Sequence, residues 1–142
     1  MLKIEEIQPM STQIVVTGEK FSEDMYDDHG IIESKKGDLK TYQRVIAVGP
    51  MVRDIKVGDM VMINVMHFAV MQYDKDSLKN DMGMNKVKKW RFNWITLEKE
   101  EGNPQECLFM DQHDILFVFK GREVQGVKNP IITPNKKGII MN

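Results

Sequence analysis

The chain has 142 residues, of which 42% are hydrophobic and 29% are charged, values typical of a folded globular domain rather than a disordered or fibrous protein. Its formal net charge of −1 excludes a whole-chain electrostatic attraction to nucleic acid or to an anionic membrane. The lone Cys107 excludes an internal disulfide, and no apolar run approaches the roughly 20 residues of a membrane helix, so we expect a cytoplasmic protein without a membrane partner.

Three strands are predicted in the first half of the chain. A run of β-branched residues at 14–16 predicts the first strand over 13–17. Strand composition returns at 43–48 and stops at Gly49-Pro50, a strong turn signal. After a further turn, residues 60–66 show the period of two that is typical of a half-buried strand.

The second half of the chain also has the composition of short strands. Alternate aromatic residues favour a strand within 86–97, and residues 107–110 and 115–119 form two further apolar runs. No long window shows the periodicity of an amphipathic helix. Short strands separated by turn signals predict an all-β barrel or sandwich.

Three short motifs follow one another along the chain: VIAVGP at 45–50, KVGDMV at 56–61 and HDIL at 113–116. Together with the first strand, which a proline precedes, their order and spacing resemble the GroES-like co-chaperonin family, the chaperonin-10 barrel. Among the members of that family, the phage-encoded co-chaperonins are those that this chain resembles most. The resemblance covers roughly residues 7–66 and 107–119.

The resemblance implies a domain organisation. Residues 1–119 would form a partly open β-barrel, with 19–40 as a mobile loop and 67–106 as a long insertion, and residues 120–142 would form an extended C-terminal arm. Loops longer than about 12 to 15 residues are usually functional or disordered, so the mobile loop is a candidate working part. Glycine permits backbone angles closed to other residues, and aspartate bonds its neighbouring backbone. The expected fold turns contain Gly49, Pro50, Gly58 and Asp59.

The resemblance also implies a non-enzymatic function, that of a ring-forming lid that binds a chaperonin of the 60-kDa class and encloses a folding client. In the family, a glycine followed by about three hydrophobic residues of the mobile loop docks into an apolar groove of the chaperonin. Gly30, Ile31 and Ile32 fit this pattern, whereas Glu33 places a charge where burial is costly. A second interpretation is that Ile31 and Ile32 form an edge of the barrel core.

The expected assembly is a homo-oligomer, a heptamer by resemblance. Its first and last strands would join neighbouring subunits so that sheet edges are not left open. The segment 138–141 of the arm, Gly138-Ile139-Ile140-Met141, is an alternative docking peptide, although a strand that pairs with a neighbouring subunit is the favoured interpretation. The expected interface residues are Ile14, Val15, Val16, Ile115 and Leu116.

An alternative function is structural. The same barrel could serve as a ring, connector or decoration unit of a virion, with the insertion and the arm as contact surfaces. The protein would then be located in the virus particle, whereas a phage-encoded co-chaperonin would act in the host cytoplasm.

Other chemistry has weaker support in the sequence. His29 and His113 lie beside aspartates, but no Cys or His spacing completes a metal site. Cys107 could pair with His113 as nucleophile and base, yet a lone cysteine among apolar residues is more often a small buried hydrophobe. The basic residues around Trp90 could bind nucleic acid, and a core-facing aromatic stripe with a solvated basic face explains them as well. We therefore expect no cofactor, no metal, no catalysis and no nucleic-acid partner.

Overall fold

The computed structural model describes residues 1–73 and 86–127, and within these ranges the protein is all-β, as the sequence predicts. The described residues form strands and short 3₁₀ turns but no α-helix, and therefore no helix that could cross a membrane. The strands are β1 Gln13–Thr17, β2 Met25–Tyr26, β3 Ile32–Ser34, β4 Tyr42–Val48, β5 Met60–Ile63, β6 Ala69–Tyr73, β7 Lys86–Trp90, β8 Asn93–Leu97, β9 Gln105–Asp111 and β10 Ile115–Phe119.

The chain divides into two compact units. The first combines residues 1–19 with 40–120 and contains β1 and β4 to β10. The second combines residues 20–39, which contain β2 and β3, with the chain from 121 onward, of which 121–127 are described.

A six-stranded antiparallel sheet organises the first unit, in the order β10-β5-β4-β1-β9-β8. β1 pairs with β4 on one side and with β9 on the other. Removing the apolar side chains of these strands from water is the main favourable term in folding. The most deeply buried apolar residues of the sheet are Ile14, Val15, Val16, Val45, Val61, Ile63, Leu97, Cys107, Leu108 and Met110.

The position of β1 corrects part of the expected subunit interface. Ile14, Val15 and Val16 are fully buried within the chain, and both edges of their strand are already paired, so they have no edge to offer a neighbour. Ile115 and Leu116 lie instead on β10, which is the end strand of the sheet. A β-branched run is typical of central and edge strands alike, so the sequence could not distinguish the two positions.

The turn at Gly49-Pro50 follows β4. The Gly49 N–H donates to the Gln13 carbonyl at 2.8 Å, and the Met51 N–H donates to the Ser11 carbonyl at 3.0 Å. A Cβ on Gly49 would overlap the Ser11 carbonyl oxygen, so this close approach requires glycine. The turn thereby joins the end of β4 to the chain that enters β1.

The turn at Gly58-Asp59 leads into β5. Gly58 has a φ of 96°, in the left-handed region that favours glycine. The Asp59 carboxylate accepts a hydrogen bond from the Lys56 N–H at 2.9 Å, which closes the turn. The Gly58 N–H and the Asp59 carbonyl each bond to the backbone of Val45 at 2.8 Å, so the turn is fastened to β4.

A one-turn 3₁₀ helix, Gln112–Asp114, precedes β10. The Asp111 carboxylate accepts the His113 N–H at 2.8 Å, and the Asp114 carboxylate accepts the Asp111 N–H at 3.0 Å, which together form a capping box. The Thr12 hydroxyl donates to Asp111 at 2.6 Å, and this bond, followed by that from the His113 N–H, lowers the pKa of Asp111. The aspartates of this segment therefore fix where the chain turns into β10.

Two predicted strands differ from the observed ones. The strand predicted over 60–66 ends at Ile63, because residues 65–68 form a 3₁₀ turn. The strand predicted within 86–97 is two strands, β7 and β8, broken at Arg91, whose N–H donates to the Phe68 carbonyl at 2.7 Å. The Phe68 and Phe92 ring centroids lie 4.9 Å apart. This contact turns the chain between β7 and β8, although every second residue from Trp90 to Trp94 is aromatic.

The predicted insertion also differs in extent. Of residues 67–106, the hairpin formed by β6 and β7 lies outside the six-stranded sheet, whereas β8 is the end strand of that sheet. β9 begins at Gln105, so it also starts inside the range predicted as the insertion. Edge strands carry polar residues on their exposed face, which makes them resemble loops in the sequence.

Candidate functional site

Residues 20–39, named the loop hairpin below, form an organised element where the sequence predicts a mobile loop. β2 pairs with β3 through Met25 opposite Ser34 and Tyr26 opposite Ile32. At the base, the Phe21 N–H donates to the Asp38 carbonyl at 2.9 Å, and Phe21 itself is largely buried. The loop hairpin therefore has its own ladder and its own anchoring side chain.

The tip of the loop hairpin is a turn built around Asp27. Its carboxylate accepts the backbone N–H of His29 at 2.8 Å and that of Ile31 at 2.9 Å. The hydrogen bond from Ile31 is the largest of the effects that lower the pKa of Asp27. Gly30 follows with a φ of 83°, a conformation that glycine adopts without steric cost. The sequence Asp-x-x-Gly therefore fixes the backbone that presents Ile31.

The two isoleucines after Gly30 face solvent. Ile31 is 64% exposed and Ile32 is 45% exposed, and Glu33 is exposed beside them. The interpretation of Ile31 and Ile32 as an edge of the barrel core is therefore wrong, because neither belongs to the buried core of the described residues. An exposed pair of large apolar side chains on a hydrogen-bonded turn is an arrangement suited to a binding contact.

The part of the loop hairpin around its tip, residues 21–34, is acidic. Residues 21–34 contain five carboxylates and no lysine or arginine, namely Glu23, Asp24, Asp27, Asp28 and Glu33. Charges at the rim of an apolar contact steer association and select partners more than they add affinity. A partner that buries Ile31 and Ile32 would therefore gain from basic residues around its groove.

A buried glutamine joins the two chain positions that bracket the loop hairpin. The Gln43 side chain is fully buried on β4, and its Nε2 donates to the carbonyls of Glu19 at 2.9 Å and Lys40 at 2.8 Å. Its Oε1 accepts the Glu19 N–H at 2.9 Å and the Thr17 hydroxyl at 2.8 Å. A buried amide is stable only when its hydrogen bonds are made, and here all of these partners are in place. Gln43 thus fixes the spacing of residues 19 and 40.

The start of the C-terminal arm contacts β2. The Gln125 side chain bonds to the Tyr26 N–H at 2.7 Å and to the Asp24 carbonyl at 2.9 Å, and the Gly126 N–H donates to the Tyr26 carbonyl at 3.0 Å. The expected extended arm is therefore fastened to the loop hairpin at 121–127, a contact that no motif in the sequence indicates. The alternative docking segment, Gly138 to Met141, lies outside the described residues.

The other candidate sites have little geometric support. Cys107 is fully buried, and burial is the main cause that raises its pKa to about 11, which is unsuited to a nucleophile near neutral pH. Within residues 1–73 and 86–127, no group of three His, Cys, Asp or Glu side chains could hold a metal ion. Trp90 stacks on Phe92 with centroids 6.5 Å apart, and Phe92 in turn contacts Phe68. The Phe68–Phe92 contact thus lies at the base of the β6–β7 hairpin, whereas Trp90 remains 47% exposed.

Comparison with known proteins gives no family for this chain. No protein-family model matches it, and no curated protein matches it. The features that bear on function are therefore the residues and geometry of the loop hairpin, the arm and the sheet edges.

Proposed function

We propose that the chain is a subunit of a co-chaperonin, a non-enzymatic ring that binds a chaperonin of the 60-kDa class and covers a folding client. The observation that carries the proposal is the exposed pair Ile31 and Ile32 on the fixed turn of the loop hairpin. The order of the VIAVGP, KVGDMV and HDIL motifs, and the all-β structure that contains them, support the same proposal.

The docking contact would bury the two isoleucines and leave Glu33 at the rim. Fully burying an isoleucine side chain stabilises a contact by about 1.5–3 kcal/mol, so the pair supplies a modest affinity per subunit. Glu33 differs from a third apolar residue because burial of a carboxylate is costly unless it is paired. A ring multiplies the contact, since linked sites bind with an avidity well above the affinity of each one.

The exposed end strand β10 supports the oligomeric part of the proposal. Its sequence, Ile-Leu-Phe-Val-Phe, contains no charge or proline, and Leu116 and Phe117 are 56% and 51% exposed. An apolar strand at a sheet edge is a template for pairing with another chain. Pairing between two different surfaces of each subunit closes a ring, whereas β10 pairing with its own copy stops at a dimer.

Binding to a purified chaperonin in the presence of ATP tests the proposal. The wild-type protein is expected to be retained, and the double variant Ile31→Asp, Ile32→Asp is expected to lose retention, because two carboxylates would enter an apolar groove. Val57→Asp, at another exposed apolar residue in the turn before β5, is the matched control. Retention of the double variant at the wild-type level would show that the loop hairpin is not the docking element.

A structural role in a virion is the second candidate, because the fastening of the loop hairpin by Gln125 also suits a permanent contact. A loop held in one conformation suits a permanent contact within a particle as well as a reversible one. A stable ring that binds no chaperonin with or without ATP would favour this role over the first.

A further inference from the structure

The amide of Gln125 occupies the free edge of β2. Tyr26 directs its N–H and carbonyl away from β3, since the neighbouring Asp27 N–H is the group that bonds across to the Ile31 carbonyl at 2.8 Å. The Gln125 Oε1 accepts the Tyr26 N–H at 2.7 Å, and its Nε2 donates to the Asp24 carbonyl at 2.9 Å. A primary amide carries both a donor and an acceptor, so it can replace the peptide group of a neighbouring strand.

Gly126 completes this pairing with its backbone. Its N–H donates to the Tyr26 carbonyl at 3.0 Å. A Cβ at position 126 would overlap the carbonyl oxygens of Tyr26 and Asp27. Glycine is therefore required for the arm to approach β2, and the preceding Gln125 fixes the register of that approach.

The contact leaves the candidate docking residues uncovered. Residues 121–127, named the strap, bond to positions 24–26, whereas Ile31 and Ile32 remain 64% and 45% exposed. The strap therefore does not block the exposed pair. It holds the strand that leads into the Asp27 turn, and so it holds the turn that presents them.

We propose that Gln125 and Gly126 are positioning residues that keep the loop hairpin in its docking conformation. The expected effect of these two residues on chaperonin binding rests on the proposed function, whereas their effect on the order of the loop hairpin does not. A segment that is already ordered pays less conformational entropy on binding than one that orders at that moment. The strap thus orders the loop hairpin before binding, whereas a mobile loop would become ordered only as it binds.

Amide hydrogen exchange of the free protein tests the ordering effect. In Gln125→Ala, the amides of Tyr26, Gly30 and Ile31 are expected to exchange about tenfold faster, because the strap loses its side-chain hydrogen bonds to residues 24–26. Gly126→Ala is expected to give the same pattern through the overlap with the Asp27 carbonyl. Val124→Ala, on the exposed neighbour in the strap, is the matched control. Amides of β1 and β9 should not change in any variant, and unchanged exchange in the loop hairpin of both test variants would overturn the proposal.

Chaperonin affinity tests the functional effect. Gln125→Ala is expected to weaken binding by about tenfold while Val124→Ala binds as the wild type does. Unchanged or tighter binding of Gln125→Ala, with faster exchange, would overturn the positioning role, the tighter case showing that the strap covers the site instead. If the wild-type protein binds no chaperonin, the proposed function fails, and the exchange experiment still decides whether the strap holds the loop hairpin.

Discussion

The two end strands of the six-stranded sheet differ in whether another part of the chain covers them. At the β8 end, the chain near the N-terminus covers the strand: Ile4 pairs in parallel with Leu97, and the Glu98 N–H donates to the Ile4 carbonyl at 2.8 Å. Ile4 also packs on the buried cluster that contains Val15, Leu97 and Cys107. The protein's own chain therefore covers this end at Leu97, the last residue of β8.

The β10 end has no such cover among the described residues. One edge of β10 pairs with β5, and its other edge pairs with none of the strands described. Three consecutive residues, Leu116 to Val118, are exposed, and a groove of about 370 Å³ runs beside them, lined in part by Ile55 and His113.

The difference between the two ends predicts where the proposed assembly would take place. An edge covered within the chain contributes to folding, whereas an exposed apolar edge gains its stability from another chain. We therefore expect changes at β10 to affect assembly without affecting the fold of the subunit. Changes at the β8 end should affect folding without affecting assembly.

The largest expected effect is loss of the oligomer in Leu116→Lys. A lysine on β10 would place a charge in the strand pairing, which is how natural edge strands avoid association. Sedimentation should show a folded monomer with an unchanged circular dichroism spectrum. Val57→Lys, on an exposed apolar residue away from the strands, should keep the wild-type mass. If Leu116→Lys also keeps that mass, β10 is not the interface.

A smaller effect is expected when the cover of the β8 end is weakened. Ile4→Ala removes part of the packing over Leu97 and should lower the free energy of unfolding by about 1–2 kcal/mol. Urea unfolding in the Leu116→Lys background measures this without the concentration dependence of an oligomer. Leu2→Ala, on a residue exposed to solvent, is the control and should leave the midpoint unchanged. A midpoint for Ile4→Ala equal to that of the control would show that Ile4 does not stabilise this end.

The smallest effect concerns the ion pair at the same end. Lys3 bonds to Glu98 at 3.2 Å, and this hydrogen bond, followed by that from the Gly102 N–H, lowers the pKa of Glu98. A lowered carboxyl pKa stabilises the fold above the ordinary glutamate pKa, and that contribution disappears as the pH falls through the folded-state value.

Thermal unfolding of Lys3→Ala at neutral pH and near pH 3 measures this contribution. The variant should unfold at a slightly lower temperature than the wild type at neutral pH, and the difference should become smaller in acid. Lys56→Ala, at an exposed lysine in the turn before β5, should follow the wild type at both pH values. A Lys3→Ala difference that is equally large in acid would contradict the role of Glu98.

The features that could be predicted from the sequence are those that local chemistry determines. β1 and β10 have the predicted bounds because uninterrupted apolar runs end at turn residues. Gly49, Gly58 and Asp59 form the predicted turns because a close backbone approach, a positive φ and a carboxylate bond depend on each residue type.

Features that depend on distant contacts could not be predicted. Nothing local distinguishes the centrally placed β1 from the exposed β10, since both are apolar. The four hydrogen bonds of Gln43 and the contact of Gln125 with β2 join residues far apart in the chain, and a glutamine in the sequence resembles any surface residue. In the loop hairpin, the resemblance predicts Gly30 to Glu33 as a docking site, whereas no motif predicts the Asp27 turn and the strap that hold them.

The native mass of the assembly tests the central claim most directly. Each subunit has a mass of 16.5 kDa, and an apolar β10 edge that pairs with a different surface of the next subunit predicts one closed ring, with seven copies expected from the resemblance. Native mass spectrometry of the wild-type protein should therefore show a single species of seven subunits. A monomer at micromolar concentration would contradict the account, because the exposed edge would then have no partner of its own kind.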